Sequence, residues 1–286
     1  ACAQSGEGLT MDLEHLRQWI GREQTGEEIL TPTLVGRFNA TFDRVSGTGP
    51  GDVAPMLIHL CLTQPAVGSA ELATDGHAAR GDFLPPVPLP RRMWAGGAFQ
   101  FHADIRIGET VTRKSTITNV VAKQGRSGPL CFVTVEHLIF SDGRAALTER
   151  QDIVYRDIPI HTEQTATPDA AAPGHHTRQI EPTATLLFRY SALTFNGHRI
   201  HYDRPYATQI EGYAGLLVHG PMQATLLCQM AADLEGRPPK SFNFRSLAPL
   251  FDDSPFTVNA TARQNEVSLW TSRLGGPVAM QADAQW

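Results

Sequence analysis

Long apolar runs are missing from this chain: no window approaches the roughly eighteen consecutive hydrophobic residues that a membrane-spanning helix needs. The first ten residues lack the basic start and apolar stretch of a secretory leader. Cysteine is scarce, and Cys2, Cys61, Cys131 and Cys228 show no Cys-x-x-Cys spacing; the last three sit in apolar runs that read as core. Such usage fits a reducing compartment, so a cytoplasmic protein without membrane contact is expected. Met11 is a candidate for the natural start, since the chain does not open on methionine.

Clustered positive charge is missing too. The 24 basic residues are spread along the chain and outnumbered by 29 acidic ones, for a formal net charge of -5. That argues against nucleic acid as a partner and leaves any anionic ligand to local arginines. No Gly-x-Ser-x-Gly, Walker loop or post-strand Gly-x-Gly-x-x-Gly occurs. Nucleophilic hydrolysis and nucleotide-cofactor chemistry thus lack their usual signals, and a cofactor-free reaction is expected. His198 and His201 have no carboxylate or cysteine beside them in a recognised ligand spacing, and His175-His176 reads as linker, so no metal is expected.

What is present is an ordinary globular composition, 286 residues with 41% hydrophobic and 19% charged, long enough for two domains. Residues 161–174 hold two prolines and no large apolar side chain, which marks a linker. The flanking halves, 11–160 and 175–286, repeat one order of elements. In the second, residues 221–234 are apolar on nearly every side and start at Pro221 after Gly220, which predicts a buried helix. Strand patterns follow at 241–250, 256–263, 266–273 and 278–286, the second alternating Phe256, Val258, Ala260 and Ala262 with polar residues. In the first half, residues 53–62 give a short apolar helix, and strands are expected at 99–107, 110–122, 130–141 and 145–156. A duplicated α+β unit follows, each half an antiparallel sheet wrapped around a central helix: a double hot-dog fold.

The segment Phe195-Asn196-Gly197-His198-Arg199-Ile200-His201, with Val218-His219-Gly220-Pro221 after it, carries the chemistry. Adding water to an enoyl thioester needs a base for water, a proton for Cα and donors for the enolate oxygen. His201 titrates near neutrality and can serve the first two needs. Asn196 can hold the water but cannot accept its proton. The backbone N–H groups around Gly220, at a helix start, suit an oxyanion. Alone, each residue more often lines a turn or caps a helix. Arg91 and Arg92 beside Trp94, Arg199, His219, and Arg245 on a strand are candidates to bind substrate, guanidinium groups being suited to carboxylate and phosphate.

The run Tyr190-Ser191-Ala192-Leu193-Thr194-Phe195-Asn196-Gly197-His198-Arg199-Ile200-His201-Tyr202-Asp203 resembles the MaoC-like family of acyl-thioester hydratases and dehydratases. Residues 31–37, 81–97 and 151–155 extend the resemblance over nearly the whole chain. Within that family it is similar to the branch of mesaconyl-CoA hydratase, itaconyl-CoA hydratase and hydroxyacyl-thioester dehydratase type 2. The broad family pairs an aspartate with the histidine, in a motif ending Asn-Pro-x-His. Here Asn196 stands for the aspartate, His198 for the asparagine and Arg199 for the proline. The resemblance implies a hydro-lyase in which His201 is acid and base, Asn196 holds water and Gly220 is the oxyanion donor. It further implies an N-terminal half without its own catalytic pair that shapes the pocket and receives the CoA arm. The expected reaction is reversible hydration of itaconyl-CoA or mesaconyl-CoA to citramalyl-CoA, with the CoA thioester as substrate. Dehydration of 3-hydroxyacyl thioesters in fatty-acid or polyketide synthesis is the nearest alternative, and a non-catalytic acyl-CoA binder the next. A thioesterase is disfavoured, because between His201 and Gly220 only Asp203 and Glu211 offer a carboxylate. A homodimer is expected.

Overall fold

The computed structural model describes residues 11–125, 128–157, 169–264 and 266–286. Cys2 and most of the expected linker, residues 161–168, lie outside the described residues; 169–174 have no regular structure.

The chain opens with α1 (Leu13–Arg17), β1 (Glu23–Ile29) and α2 (Pro32–Thr41). Four long strands follow: β2 (Arg91–Phe101), β3 (Thr110–Gly125), β4 (Gly128–Ser141) and β5 (Arg144–Arg156). The second half consists of β6 (His176–Ile180), α3 (Ala184–Leu193), α4 (Gly220–Glu235), β7 (Ser241–Ser246), β8 (Phe256–Arg263), β9 (Glu266–Arg273) and β10 (Val278–Gln285). Among the described residues no helix is long and apolar enough to cross a membrane.

Helix α4 begins where the sequence places it, with Pro221 in its first turn, and its residues from Met222 through Ala231 are all buried. A helix without a polar face has to be enclosed, and β7 to β10 enclose it. Phe256, Val258 and Ala260 of β8 face it from the sheet as the period-two pattern requires. The double hot-dog architecture is present; the strand expected at 99–107 runs instead over Arg91–Phe101, and three larger departures from expectation stand beside it.

The first concerns the sheets. They are not two: β2 pairs with β7, Gly97 opposite Phe244 and Phe99 opposite Phe242, so both halves share one ten-stranded sheet, β1-β3-β4-β5-β2-β7-β10-β9-β8-β6. Phe99, Phe242 and Phe244 stack across that seam in one core spanning both units. The second is that the N-terminal unit lacks its central α-helix. Residues 53–62 form only a 3-10 turn, Ile58–Cys61. Pro55 biases the residue before it toward extended backbone, and the Gly51 and Ala54 N–H groups bond to Ile107 and Ile105 instead of starting a helix. Helix α2 supplies Val35 and Phe38 to fill that side of the core. The third is that His176 is not linker but the first residue of an edge strand paired with β8.

A buried polar pair sits under the N-terminal sheet. His59 Nε2 and Glu149 Oε2 are 3.2 Å apart, both nearly inaccessible to solvent, and Gln151 donates to the other carboxylate oxygen at 2.7 Å. Burial opposes the Glu149 charge, but the His59 hydrogen bond and the two imidazoles outweigh it and hold its pKa down to about 2. Removing one partner of such a pair strands the other. Glu149→Ala is therefore expected to lower unfolding free energy by about 3–5 kcal/mol. Urea denaturation followed by circular dichroism measures this; a loss under about 1 kcal/mol, the range of exposed pairs, refutes it.

Candidate active site

Helix α3 is capped at its start by Thr183, whose hydroxyl accepts from the Leu186 N–H at 3.1 Å. It stops at Thr194, and Phe195 then takes a left-handed conformation with φ 47°. The Asn196 N–H returns to the Ser191 carbonyl at 2.8 Å, and Asn196 Oδ1 accepts from the His198 N–H at 3.0 Å. The short turn Arg199–His201 then carries His201 inward. Each of these bonds is local, so the residue types of this stretch suffice to place its side chains.

His201 is buried, and its Nδ1 lies 2.8 Å from the Leu217 carbonyl oxygen. A carbonyl only accepts, so Nδ1 carries the hydrogen and Nε2 the lone pair. His219, the residue before α4, stacks on His201 with centroids 3.7 Å apart and an 18° tilt. Its Nε2 meets Ser191 Oγ at 2.8 Å, while its buried Nδ1 has no hydrogen-bond partner among the described residues. Gly220 opens α4 against the Trp94 ring, where a Cβ would come within 3.3 Å of Trp94 Cε3. The His201 ring is thus held beside the start of α4, with its free N–H groups, through the His201–His219 stack.

A second segment completes the site, and sequence reasoning missed it. The loop after Leu72 folds back on itself through a bridge to Ala78 and presents Asp75 and His77. Asp75 Oδ1 accepts from the His77 N–H and Oδ2 from His77 Nδ1, both at 3.0 Å. The His77 ring lies 4.1 Å from that of His198, which in turn is 5.6 Å from, and perpendicular to, that of His201. Arg199 clamps the loop: its backbone N–H donates to the Asp75 carbonyl at 2.9 Å and its Nη1 to the Thr74 carbonyl at 3.0 Å. Gly76, at φ +88°, and Gly197 are pressed backbone to backbone, so that a Cβ on Gly197 would sit 2.5 Å from the Gly76 oxygen. The only signal in the sequence was the Asp-x-His spacing itself, ahead of the 81–97 motif.

Burial sets the charge of this cluster. It pushes His201 down to about 4 against the opposing Leu217 hydrogen bond, and His77 down to about 4 with help from Arg92 and against Asp75. His198 and His219 are also driven down, first by burial and then by neighbouring imidazoles. Burial works against the Asp75 charge, yet its bonds to His77 outweigh that and hold the carboxyl below its usual range. At neutral pH the site therefore contains four neutral imidazoles and one carboxylate. Asp75, His77 and His198 each place a ligating atom within 4.8 Å of the other two, a set that could hold a divalent cation. The Asp75–His77 hydrogen bond already engages two of these side chains, so a cation would compete with it.

The remaining candidates fall into two groups. Trp94 packs on Phe244 at 4.6 Å and walls the site next to Gly220. Arg92 is half-buried, and its charge is felt at His77 and His198. Arg91, by contrast, is engaged by Glu211 at 3.1 Å and lies over Tyr213, and Arg199 is engaged by Asp203 at 2.8 Å. Both are ties within the chain. Arg245 is exposed on β7, opposite Gly96. The Asn196 oxygen is taken by His198, which leaves its NH2 group to contact a water.

The family model for hydroxyacyl-thioester dehydratase type 2 matches residues 57–252. The chain is 43% identical to the mesaconyl-C(4)-CoA hydratase of Chloroflexus aurantiacus, over 93% of this chain and 96% of that protein. Among solved structures, HtdX of Mycobacterium tuberculosis superposes with a TM-score of 0.66 at 18% identity, covering 92% of this chain and 99% of that one. A second Mycobacterium tuberculosis protein, described as having a double hotdog fold, superposes with a TM-score of 0.56 at 13% identity over 93% of this chain and 96% of its own. At such identities the two structures speak for the fold.

Proposed function

Because the chain belongs to the hydroxyacyl-thioester dehydratase type 2 family, we propose that it adds water reversibly to a short branched dicarboxylic enoyl-CoA, mesaconyl-CoA or itaconyl-CoA, to give citramalyl-CoA. The coarser activity is that of a hydro-lyase acting on CoA thioesters. One observation carries the mechanism: a buried His201 whose Nδ1 is tied to the Leu217 carbonyl, so that Nε2 keeps the lone pair, on a ring stacked against His219, the residue before α4. That nitrogen takes a proton from water as the oxygen attacks Cβ, and the proton is later returned to Cα. Asn196, through its NH2 group, donates to the water oxygen and orients it. The Gly220 N–H at the positive end of the helix dipole receives the thioester oxygen as it gains charge.

The dicarboxylic substrate follows from the relative's name and from Arg92. Of the arginines considered, Arg92 alone combines partial exposure with an electrostatic reach to the histidine cluster and, among the described residues, no engaging carboxylate; its side-chain partner is the Tyr155 hydroxyl. It is assigned to the free carboxylate of the substrate. A charge-assisted hydrogen bond of this kind is worth about 1.5–3 kcal/mol, so Arg92→Ala should raise KM for mesaconyl-CoA by about 10- to 150-fold. Crotonyl-CoA, which lacks the second carboxylate, should show little change.

Rates for wild type on crotonyl-CoA, a medium-chain enoyl-CoA, itaconyl-CoA and mesaconyl-CoA test the reading, followed as loss of enoyl-thioester absorbance. A preference for the medium chain over both dicarboxylic substrates would transfer the assignment to 3-hydroxyacyl-thioester dehydration. Equal effects of Arg92→Ala on crotonyl-CoA and mesaconyl-CoA would remove Arg92 from its role.

A further inference from the structure

Hydration through His201 alone leaves a buried imidazolium whose only counter-charge is the transient enolate, since Nδ1 faces a neutral carbonyl and position 196 is an amide. A carboxylate does reach the imidazole cluster, but from the other half of the molecule. We propose that Asp75 and His77 form a second acid–base dyad of this active site, in which His77 delivers the proton to Cα and Asp75 positions His77 and balances its charge. The proposal rests on the hydratase reading above.

Three observations support it. Asp75 grips His77 twice, through the backbone N–H and through Nδ1, so the lone pair of His77 is on Nε2 and the ring has one orientation. This is the support that makes a histidine an effective proton carrier in other acid–base sites: a carboxylate behind the ring fixes its tautomer and stabilises the cation. The ring is also placed where such a carrier is needed. It is partly accessible, with 23% of its side chain exposed, and it stands 4.1 Å from His198. Finally, the loop is fixed to the catalytic half by the Arg199 bonds to Thr74 and Asp75 and by the Gly76–Gly197 contact, which no side chain could permit.

The step balances as follows. Water oxygen bonds to Cβ while one of its protons passes to His201 Nε2, and the C=C electron pair moves onto Cα and the thioester oxygen. The proton then passes from His201 to His77 by way of the His198 ring, which stands between them at centroid distances of 5.6 and 4.1 Å. Asp75 offsets the resulting cation, and His77 gives the proton to Cα as the thioester carbonyl reforms. Both imidazoles end neutral, and nothing beyond water and substrate is consumed.

The test compares kcat and KM for mesaconyl-CoA and crotonyl-CoA hydration in wild type, His77→Gln, Asp75→Asn, the double variant and His201→Asn. Each single change at the dyad should lower kcat by about 10²-fold or more, with KM within about threefold of wild type. The double variant should be no slower than His77→Gln alone, because Asp75 acts through His77. Added imidazole should restore part of the rate to His77→Ala, which separates a lost proton carrier from a misfolded loop. Losses that multiply in the double variant overturn the proposal, as does a His77→Gln enzyme at wild-type speed beside a slow His201→Asn. So does a wild-type rate abolished by EDTA and restored by Zn²⁺, which would make Asp75, His77 and His198 metal ligands. A wild type inert on both substrates defeats the hydratase reading itself and this proposal with it.

Discussion

His201→Asn is expected to reduce kcat for enoyl-CoA hydration by about 10²- to 10⁴-fold, the range of a positioned general base, with little change in KM. Asparagine is the informative replacement. Its NH2 group can still donate to the Leu217 carbonyl that His201 Nδ1 meets at 2.8 Å, so the variant loses the base without stranding a buried acceptor. Folding stability should change much less than rate. At Asn196 the expected effect is smaller: its oxygen is bonded to the His198 N–H, and only the NH2 group is left to orient water. Removing one neutral hydrogen bond costs about 0.5–1.5 kcal/mol, so Asn196→Ala should slow the reaction by about 2- to 13-fold. Steady-state kinetics on both variants decide the assignment. An Asn196→Ala loss as large as that of His201→Asn would mean that holding the water limits the rate as much as removing its proton does, and the smaller role given to Asn196 would fail.

The contrast between these residues reflects what a linear sequence can disclose. Strands β8 and β9 start and end where the alternation in 256–263 and 266–273 places them, and α4 starts at the Gly220-Pro221 signal. Local chemistry decided those elements. Strands β1 and β6 were missed because they are largely exposed edges: Glu23–Ile29 has no buried residue and hence no alternation to detect. The short helix expected at 53–62 failed because Pro55 and the pairing of Gly51 and Ala54 with the 105–107 strand-like segment override its apolar run.

In the site the division is sharper. Asn196, His201, His219 and Gly220 are placed by bonds within one stretch, and their proximity is legible. Asp75 and His77 reach the same cluster through a loop clamped by Arg199, whose bond to Thr74 spans 125 positions of sequence. No pattern of spacing reports such a contact. The tie of Arg91 was hidden for a related reason, since the Glu211 that engages it is 120 positions away. Arg199 was readable in principle: Asp203 lies at i+4, an ordinary ion-pair spacing.

The same cluster makes the protein sensitive to acid well above the range in which exposed carboxylates titrate. In the unfolded chain each of these histidines returns to its reference value of 6.5, whereas in the fold His77 and His201 are lowered to about 4. Between those values the unfolded state binds protons that the folded state refuses, so stability must fall as pH falls. At about 1.36 kcal/mol per pKa unit, each of the two contributes a loss of about 3 kcal/mol by pH 4. His198 and His219, also lowered, act in the same direction. Asp75 and Glu149 cannot compensate. Their pKa values are depressed too, so they stabilise the fold above the usual carboxylate range and lose that contribution only as pH falls further. A total near 6 kcal/mol is comparable with the roughly 5–15 kcal/mol by which domains are folded at all. The urea midpoint should accordingly hold between pH 8 and about 6.5, decline steeply below it, and approach zero near pH 4 to 5. A His219→Gln variant, with one imidazole fewer to charge, should show a shallower decline over the same window. A wild-type midpoint that stays flat down to pH 4.5 would mean that these rings accept protons inside the fold, and the neutral, lone-pair-bearing Nε2 on which the mechanism depends would no longer be the resting state of His201.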